Sequence, residues 1–163
     1  MAAIGGVMLA DMAITPGHGS LRKGRHSQPG GIYLMTFTTA ARRCLFADFN
    51  TACAASRTFG PSAAAEAATL LCWVLMPDHF HGLLRLDGAR SLSRIVQRLK
   101  SRSSHACTLA GATPPIWARA FHDHALRRDE DVLGTARYVI ANPIRAGIVV
   151  RASEYPFWNA MWL

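Results

Sequence analysis

The chain has 163 residues, of which 50% are hydrophobic and 17% are charged. This composition predicts one domain with a buried core and excludes a disordered protein. No apolar run reaches the roughly 20 residues of a membrane-spanning helix, so we expect no membrane partner. Lys and Arg outnumber Asp and Glu by 18 to 10, a net charge of +8 that indicates a polyanionic partner. An arginine-rich composition typical of a GC-rich genome is the alternative explanation.

The first 20 residues are expected to be a disordered leader or an over-extended reading frame, and residues 21–163 to form a single domain. A basic arm carries Arg22, Lys23 and Arg25 in a stretch rich in Pro, Gly and Ser. The four cysteines form no CxxC pair, and the start lacks the basic segment of a secretory signal. We therefore expect a reduced, cytoplasmic protein.

The elements follow one another in a simple order. Residues 32–39 predict a strand, residues 48–59 a helix, and the apolar runs 70–76 and 80–86 two adjacent antiparallel strands. A helix is expected from Ser91 to about residue 109, a short strand within 116–126, and a last helix that ends at Asn142 before a proline. This order predicts an α+β sandwich of the ferredoxin-like kind, with helices packed on an antiparallel sheet.

The triplet His79-Phe80-His81 is the sharpest local pattern in the sequence. Alternate side chains of a strand share a face, so both imidazoles would project together while Phe80 enters the opposite side. Same-face positions lie about 6.6 Å apart, which allows both rings to bind one divalent ion. Two unrelated histidines are the alternative.

A second triplet, His122-Asp123-His124, allows a competing interpretation. Four histidines from two such strands would suit a hydrolytic or structural zinc site. The arginines that crowd the second triplet argue against it, because they would disfavour further ligands to a dication.

Tyr138 and Asn142 are four residues apart on the predicted last helix and so share a face. A phenol there could attack phosphorus if a metal and a guanidinium, Arg137 or Arg145, neutralise charge. A tyrosine at the edge of the core is the alternative. On the preceding long helix, Arg94, Arg98 and Arg102 recur every four residues with Lys100 nearby, a face that would either track phosphates or simply be solvated.

Several segments together resemble the REP-associated tyrosine transposases, relatives of the single-tyrosine HUH transposases of insertion sequences. The resemblance covers residues 21 to 163. The segments that carry it are WVLMPDHFH at 73–81, LKSRS at 99–103, FHD at 121–123, RYVIANPIRAG at 137–147 and EYP at 154–156. One departure is Asp78, which stands where many relatives have asparagine and adds a carboxylate beside the metal position.

This resemblance implies an HUH endonuclease fold with His79 and His81 as metal ligands, Asn142 completing the metal shell, and Tyr138 as the nucleophile. It implies Mg²⁺ or Mn²⁺ as cofactor. The implied reaction is cleavage and rejoining of single-stranded DNA through a 5′-phosphotyrosine.

The implied substrates are hairpins formed by palindromic repeats. Residues expected to contact DNA are Arg22, Lys23, Arg25, Arg94, Arg98, Lys100, Arg102, Arg137 and Arg145. The chain would act as a monomer or a homodimer. A non-catalytic hairpin-binding protein and a zinc hydrolase are the alternative functions.

Overall fold

The computed structural model describes residues 27–127 and 130–162. Within them, five antiparallel strands form one sheet in the order β4-β1-β3-β2-β5. The strands are β1 Ile32–Thr38, β2 Ala68–Met76, β3 His79–Leu86, β4 His122–Ala125 and β5 Trp158–Ala160. The helices are α1 Phe49–Ala64, α2 Leu92–Leu109, α3 Val132–Ile140 and α4 Asn142–Arg145, with short 3₁₀ turns at Ala40–Arg42, Leu45–Ala47 and Ala152–Glu154. The predicted α+β sandwich is confirmed.

An aromatic cluster joins the sheet to the first helical layer, in which α1 and α2 pack against each other. Phe80 is fully buried, and its ring lies 4.7 Å from that of Phe37 and 4.6 Å from that of Phe59 on α1. Phe59 also meets the edge of Trp73 on β2. Burial of such large rings is the main source of stability in a domain of this size.

Helix α3 covers the other face of the sheet. Val74 of β2 points away from the aromatic cluster and is fully buried. Helix α3 packs against β2 and β3, and its Ala136 and Val139 belong to the same core. His79 and His81 share this face, since β3 pairs them with Met76 and Val74 of β2.

Two helix boundaries differ from the predicted ones. Helix α1 does not stop before Gly60 and Pro61 but continues to Ala64. A proline removes only one backbone donor, and burial of Phe59 and Ala63 against the sheet outweighs that loss. The start of α1 follows expectation, because the Asp48 side chain accepts from the Thr51 amide at 2.8 Å.

The last predicted helix is two helices. Helix α3 ends at Ile140, and Asn142 begins the short helix α4 with Pro143 in its first turn. A proline fits there because the first turn of a helix has no intrahelical partner for its N–H groups. Strand β5 was not predicted, because three residues are too few for a periodic pattern. In the described part of the chain, no helix is long and apolar enough to cross a membrane.

Phe80 offers a test of the aromatic cluster. Replacing Phe80 by Ala should lower the free energy of unfolding by about 3–5 kcal/mol, because the site lies between two packed layers and cannot collapse. Phe49→Ala, at a ring that is 61% exposed, should cost under about 1 kcal/mol. Urea denaturation followed by circular dichroism measures both. Equal costs for the two variants would contradict this account of the core.

Candidate active site

The two histidines of β3 lie side by side on one face of the sheet. Their ring centroids are 4.7 Å apart, and the ring planes are nearly perpendicular at 87°. Phe80, between them in sequence, is buried on the opposite face. The predicted alternation is confirmed, and packing of Phe80 in the core fixes the side on which the imidazoles project.

His81 is held from the neighbouring strand. Its Nδ1 lies 2.8 Å from Oγ1 of Thr36, which the register places directly opposite on β1. Burial lowers the pKa of His81 to about 3, and the positive charges of His79, Arg145 and Arg42 act in the same direction, against the charge of Asp78. At neutral pH this imidazole is therefore uncharged, which is the form that binds metals.

His79 is held by the turn between β2 and β3. Its Nδ1 lies 2.5 Å from Oδ1 of Asp78, whose Oδ2 accepts from Nη1 of Arg42 at 3.0 Å. Partial burial alone would raise the pKa of the Asp78 carboxyl. The hydrogen bond with His79 and the charges of His79 and Arg42 outweigh burial, and the pKa lies below its ordinary value.

These hydrogen bonds suit a metal site. Each Nδ1 has a partner, and no described residue forms a hydrogen bond with the Nε2 of His79 or His81. An engaged Nδ1 orients the ring, and in the tautomer with the proton on Nδ1 the Nε2 lone pair is left for a cation, as is common for metal-binding histidines. The two imidazoles therefore fit a divalent ion.

Across the described residues, no three His, Cys, Asp or Glu side chains are grouped to hold a metal. A third ligand from such a side chain is therefore absent there, and further ligands would come from another residue type, water or substrate. The zinc alternative finds no support in those residues. Nε2 of His124 lies 3.1 Å from a Glu130 oxygen. His122 is in register with Thr36 and so shares the face of His81, but it belongs to no group of three possible ligands among the described residues.

Tyr138, Asn142 and Arg145 form one cluster where α3 meets α4. The Arg145 guanidinium lies over the Tyr138 ring, 3.7 Å from its centroid. Its Nη1 donates to the Tyr138 carbonyl at 2.8 Å and its Nη2 to Oδ1 of Asn142 at 2.7 Å. Tyr138 is 45% exposed, whereas Asn142 is buried and donates its Nδ2 to the Val139 carbonyl.

This cluster belongs to the same side of the sheet as the histidines. Helix α3 packs against β2 and β3, and the charge of Arg145 contributes to the lowered pKa of His81. Asn142 differs from the two histidines, because its predicted ligating atom, Oδ1, accepts a hydrogen bond from Arg145.

The predicted basic face of α2 divides into two parts. Arg94 and Arg98, together with Arg90, surround the buried carboxylate of Glu66, with N–O distances from 3.1 to 3.9 Å. Arg102 is exposed and forms no hydrogen bond or ion pair with the described residues.

The Lys100 ammonium group binds the protein's own backbone. Its Nζ donates to the carbonyl oxygens of Ala118, Arg119 and Ala120, at distances from 2.7 to 3.4 Å. The neighbouring Trp117 donates its Nε1 to Ser103 of α2 at 2.9 Å. Lys100 thus ties α2 to the segment that leads into β4.

The remaining residues predicted to contact DNA are one arginine on α3 and the basic residues of the arm. Arg137 is exposed on α3 and is unpaired within the described residues. Arg22, Lys23 and Arg25 lie outside the described residues, as does the predicted leader.

Sequence reasoning missed Thr36, Arg42 and Glu66. The strand register could have indicated Thr36, which is directly across from His81. Arg42 lies in an irregular segment, and no sequence pattern points to it. Glu66 carried no pattern of its own either.

Comparison with known proteins identifies the family. A family model described as IS200-like transposase matches residues 30–122. The REP-associated tyrosine transposase of Escherichia coli (strain K12) is 33% identical over 86 residues, which are 52% of this chain and 50% of that protein. The match thus spans about half the length of that curated relative.

A solved structure of a REP-associated tyrosine transposase bound to a REP hairpin supports the fold. It is 24% identical, with a TM-score of 0.66 and coverage of 82% of this chain and 79% of that chain. Since the family model covers more than half of the sequence, this chain belongs to the family of IS200-like transposases.

Proposed function

We propose that this chain cleaves and rejoins single-stranded DNA, with Tyr138 as the nucleophile and a divalent ion held by His79 and His81. The observation that carries the proposal is the pair of oriented imidazoles with both Nε2 atoms open, on the side of the sheet that also bears the Tyr138–Arg145 cluster. Family membership supports a DNA-processing enzyme.

The residues divide the work as follows. The Tyr138 phenol gives up its proton as its oxygen attacks the scissile phosphorus. The bond to the leaving 3′-oxygen breaks and that oxygen takes up a proton, which produces a 5′-phosphotyrosine and a free 3′-hydroxyl. A bound Mg²⁺ or Mn²⁺ supplies Lewis-acid stabilisation of the phosphate oxygens. Arg145 brings positive charge next to the Tyr138 phenol and so close to the phosphoryl oxygens, on which negative charge builds up in the transition state.

The reverse step uses the same groups. A 3′-hydroxyl of a second strand attacks the phosphotyrosine and releases the Tyr138 oxygen, so the phosphodiester is restored without ATP. Asn142 is the third ligand in this proposal, since its Oδ1 accepts one hydrogen bond from Arg145 and keeps a second lone pair for the ion. Arg137, exposed on α3, is a second source of positive charge near the phosphate.

We further propose that the substrate is a DNA hairpin and that the protein acts in the cytoplasm on the nucleoid. A structurally similar relative is bound to a REP hairpin. The net charge of +8 favours a polyanion. The guanidiniums of α2, exposed at Arg94 and Arg102 and partly buried at Arg98, are the described candidates for backbone contacts, and the arm with Arg22, Lys23 and Arg25 is a further one.

The nucleophile can be tested among the three tyrosines of the chain. Tyr138→Phe should abolish the covalent protein–DNA adduct formed with a labelled hairpin oligonucleotide and Mn²⁺ on a denaturing gel. Affinity for the hairpin should change less than about threefold, because only a hydroxyl is lost. An adduct that survives Tyr138→Phe contradicts the assignment.

Matched controls are Tyr155→Phe and Tyr33→Phe. The Tyr155 hydroxyl donates to the Leu75 carbonyl and the Tyr33 hydroxyl accepts from the Gln28 amide, so both have structural partners. Both variants should keep the adduct, whereas His79→Ala should lose it. Hairpin binding by the wild-type protein without any adduct would instead favour the non-catalytic binding function.

The basic face of α2 can be tested through salt dependence. Arg102→Ala should reduce the slope of log K against log salt by about 0.7–0.9, the contribution of one phosphate contact. Arg151→Ala is the control, since that exposed arginine is paired with Glu154 outside α2. Its slope should equal that of the wild type. Equal slopes for all three proteins would remove Arg102 from the DNA surface.

A further inference from the structure

A chain of three side chains runs from an irregular segment to the metal position. Arg42 donates to one carboxylate oxygen of Asp78, and the other oxygen lies 2.5 Å from Nδ1 of His79. Both oxygens of Asp78 are therefore engaged, one by the Arg42 guanidinium and the other by the His79 ring. The sequence suggested a carboxylate beside the metal; the geometry instead puts it behind the ligand.

The backbone that presents Arg42 is itself unusual. Ala41 and Arg42 have φ values of 54° and 55°, in the left-handed region that non-glycine residues rarely adopt. Two consecutive residues in this conformation are strained and persist only where their surroundings hold them. Such strain commonly marks a functional site.

Hydrogen bonds clamp this segment onto the turn that carries Asp78. The Thr39 amide donates to the Asp78 carbonyl at 2.8 Å, and the hydroxyl of this fully buried residue lies between the carbonyls of Arg43 at 2.7 Å and Asp78 at 3.1 Å. The Phe46 amide donates to the Pro77 carbonyl at 3.0 Å. The strained segment and the turn thus form one rigid unit.

We propose that Asp78 is a positioning residue that holds His79 in the tautomer with the proton on Nδ1 and the lone pair on Nε2, and that Arg42 and Thr39 hold Asp78 for this task. The inference rests on the proposed function in one respect, namely that Nε2 of His79 binds the divalent ion. A carboxylate behind a ligating imidazole orients the ring and strengthens it as a ligand, and its loss typically costs 10- to 100-fold in metal affinity.

The hydrogen-bond partners of His79 and His81 make the two halves of the site differ. His81 is paired with a neutral hydroxyl from Thr36, whereas His79 is paired with a carboxylate. A hydroxyl can donate or accept, so Thr36 permits either tautomer of His81. An ionised carboxylate only accepts, so Asp78 requires the proton of neutral His79 to be on Nδ1. Asp78 is thus the group that specifies the tautomer.

The tautomer can be read directly in the metal-free protein. Long-range ¹H–¹⁵N correlation spectra at pH 8 should show neutral His79 protonated on Nδ1. Asp78→Ala should shift His79 toward the Nε2-protonated form. Asp78→Asn should retain most of the Nδ1-protonated form, because the amide oxygen still accepts.

Mn²⁺ affinity provides the second measurement, taken from the free-ion electron paramagnetic resonance signal. Asp78→Ala should weaken binding 10- to 100-fold and Asp78→Asn clearly less. Asp87→Ala is the matched control, since Asp87 is paired with Arg85 Nε at 2.6 Å just beyond the far end of β3. It should change neither the tautomer nor the affinity.

Arg42 should act on the His79 tautomer only through Asp78. Arg42→Ala should give a His79 tautomer ratio between those of the wild type and Asp78→Ala, and the double variant should equal Asp78→Ala alone. An unchanged ratio in Arg42→Ala would remove Arg42 from the proposal.

A wild-type His79 protonated on Nε2, or an Asp78→Ala variant with wild-type tautomer and affinity, would overturn the role of Asp78. Failure of the proposed function is distinguishable from this result. If the wild-type protein binds no Mn²⁺ with or without a hairpin oligonucleotide, the metal site fails, while the spectra of the metal-free protein still decide whether Asp78 sets the tautomer.

Discussion

The site depends on the packing of Phe80 between the sheet and α1. A strand places successive side chains on opposite faces, so a buried Phe80 obliges His79 and His81 to project together on the other face. A register slip of one residue would move both imidazoles into the aromatic core. The pairing of β3 with β1 and β2 on both sides prevents that slip, and it also brings Thr36 opposite His81. The hydrophobic core and the candidate site are therefore determined by the same constraint.

Positive charge in this protein serves the fold as well as the partner. Lys100 donates to three backbone carbonyls, and Arg94 and Arg98 gather with Arg90 around the buried Glu66. An anchored guanidinium loses less side-chain entropy when it meets a phosphate than a free one does. Glu66 thereby neutralises part of the positive charge of the α2 face, and it orders the side chains of Arg94 and Arg98. Net charge alone would overstate the number of open cations.

Much of the architecture was predictable because it depends on local periodicity. The strands around the HFH triplet, the Ser91-capped helix and the side shared by the two imidazoles follow from alternation and helical spacing. The rest depends on contacts between distant segments. Arg42 reaches Asp78 across 36 residues of sequence through a left-handed turn that no propensity predicts, and α1 passes through Gly60-Pro61 because tertiary packing outweighs local signals. Asn142 shares a cluster with Tyr138 as its spacing predicts, yet its oxygen is bound to Arg145, which spacing cannot reveal.

The charges around the histidines connect ion binding to DNA binding. The charges of Arg42 and Arg145 both lower the pKa of His81, so each is close enough to disfavour a positive charge on that ring. The same repulsion opposes a dication bound by the imidazoles, since Coulomb energy depends on charge and distance and not on the chemical nature of the cation. Asp78 offsets part of this repulsion but is itself paired with Arg42. A scissile phosphate supplies the missing negative charge. In the proposed function, the ion and the phosphate therefore favour each other's binding through their mutual attraction, while the guanidinium that stacks on Tyr138 favours the phosphate and opposes an ion without DNA.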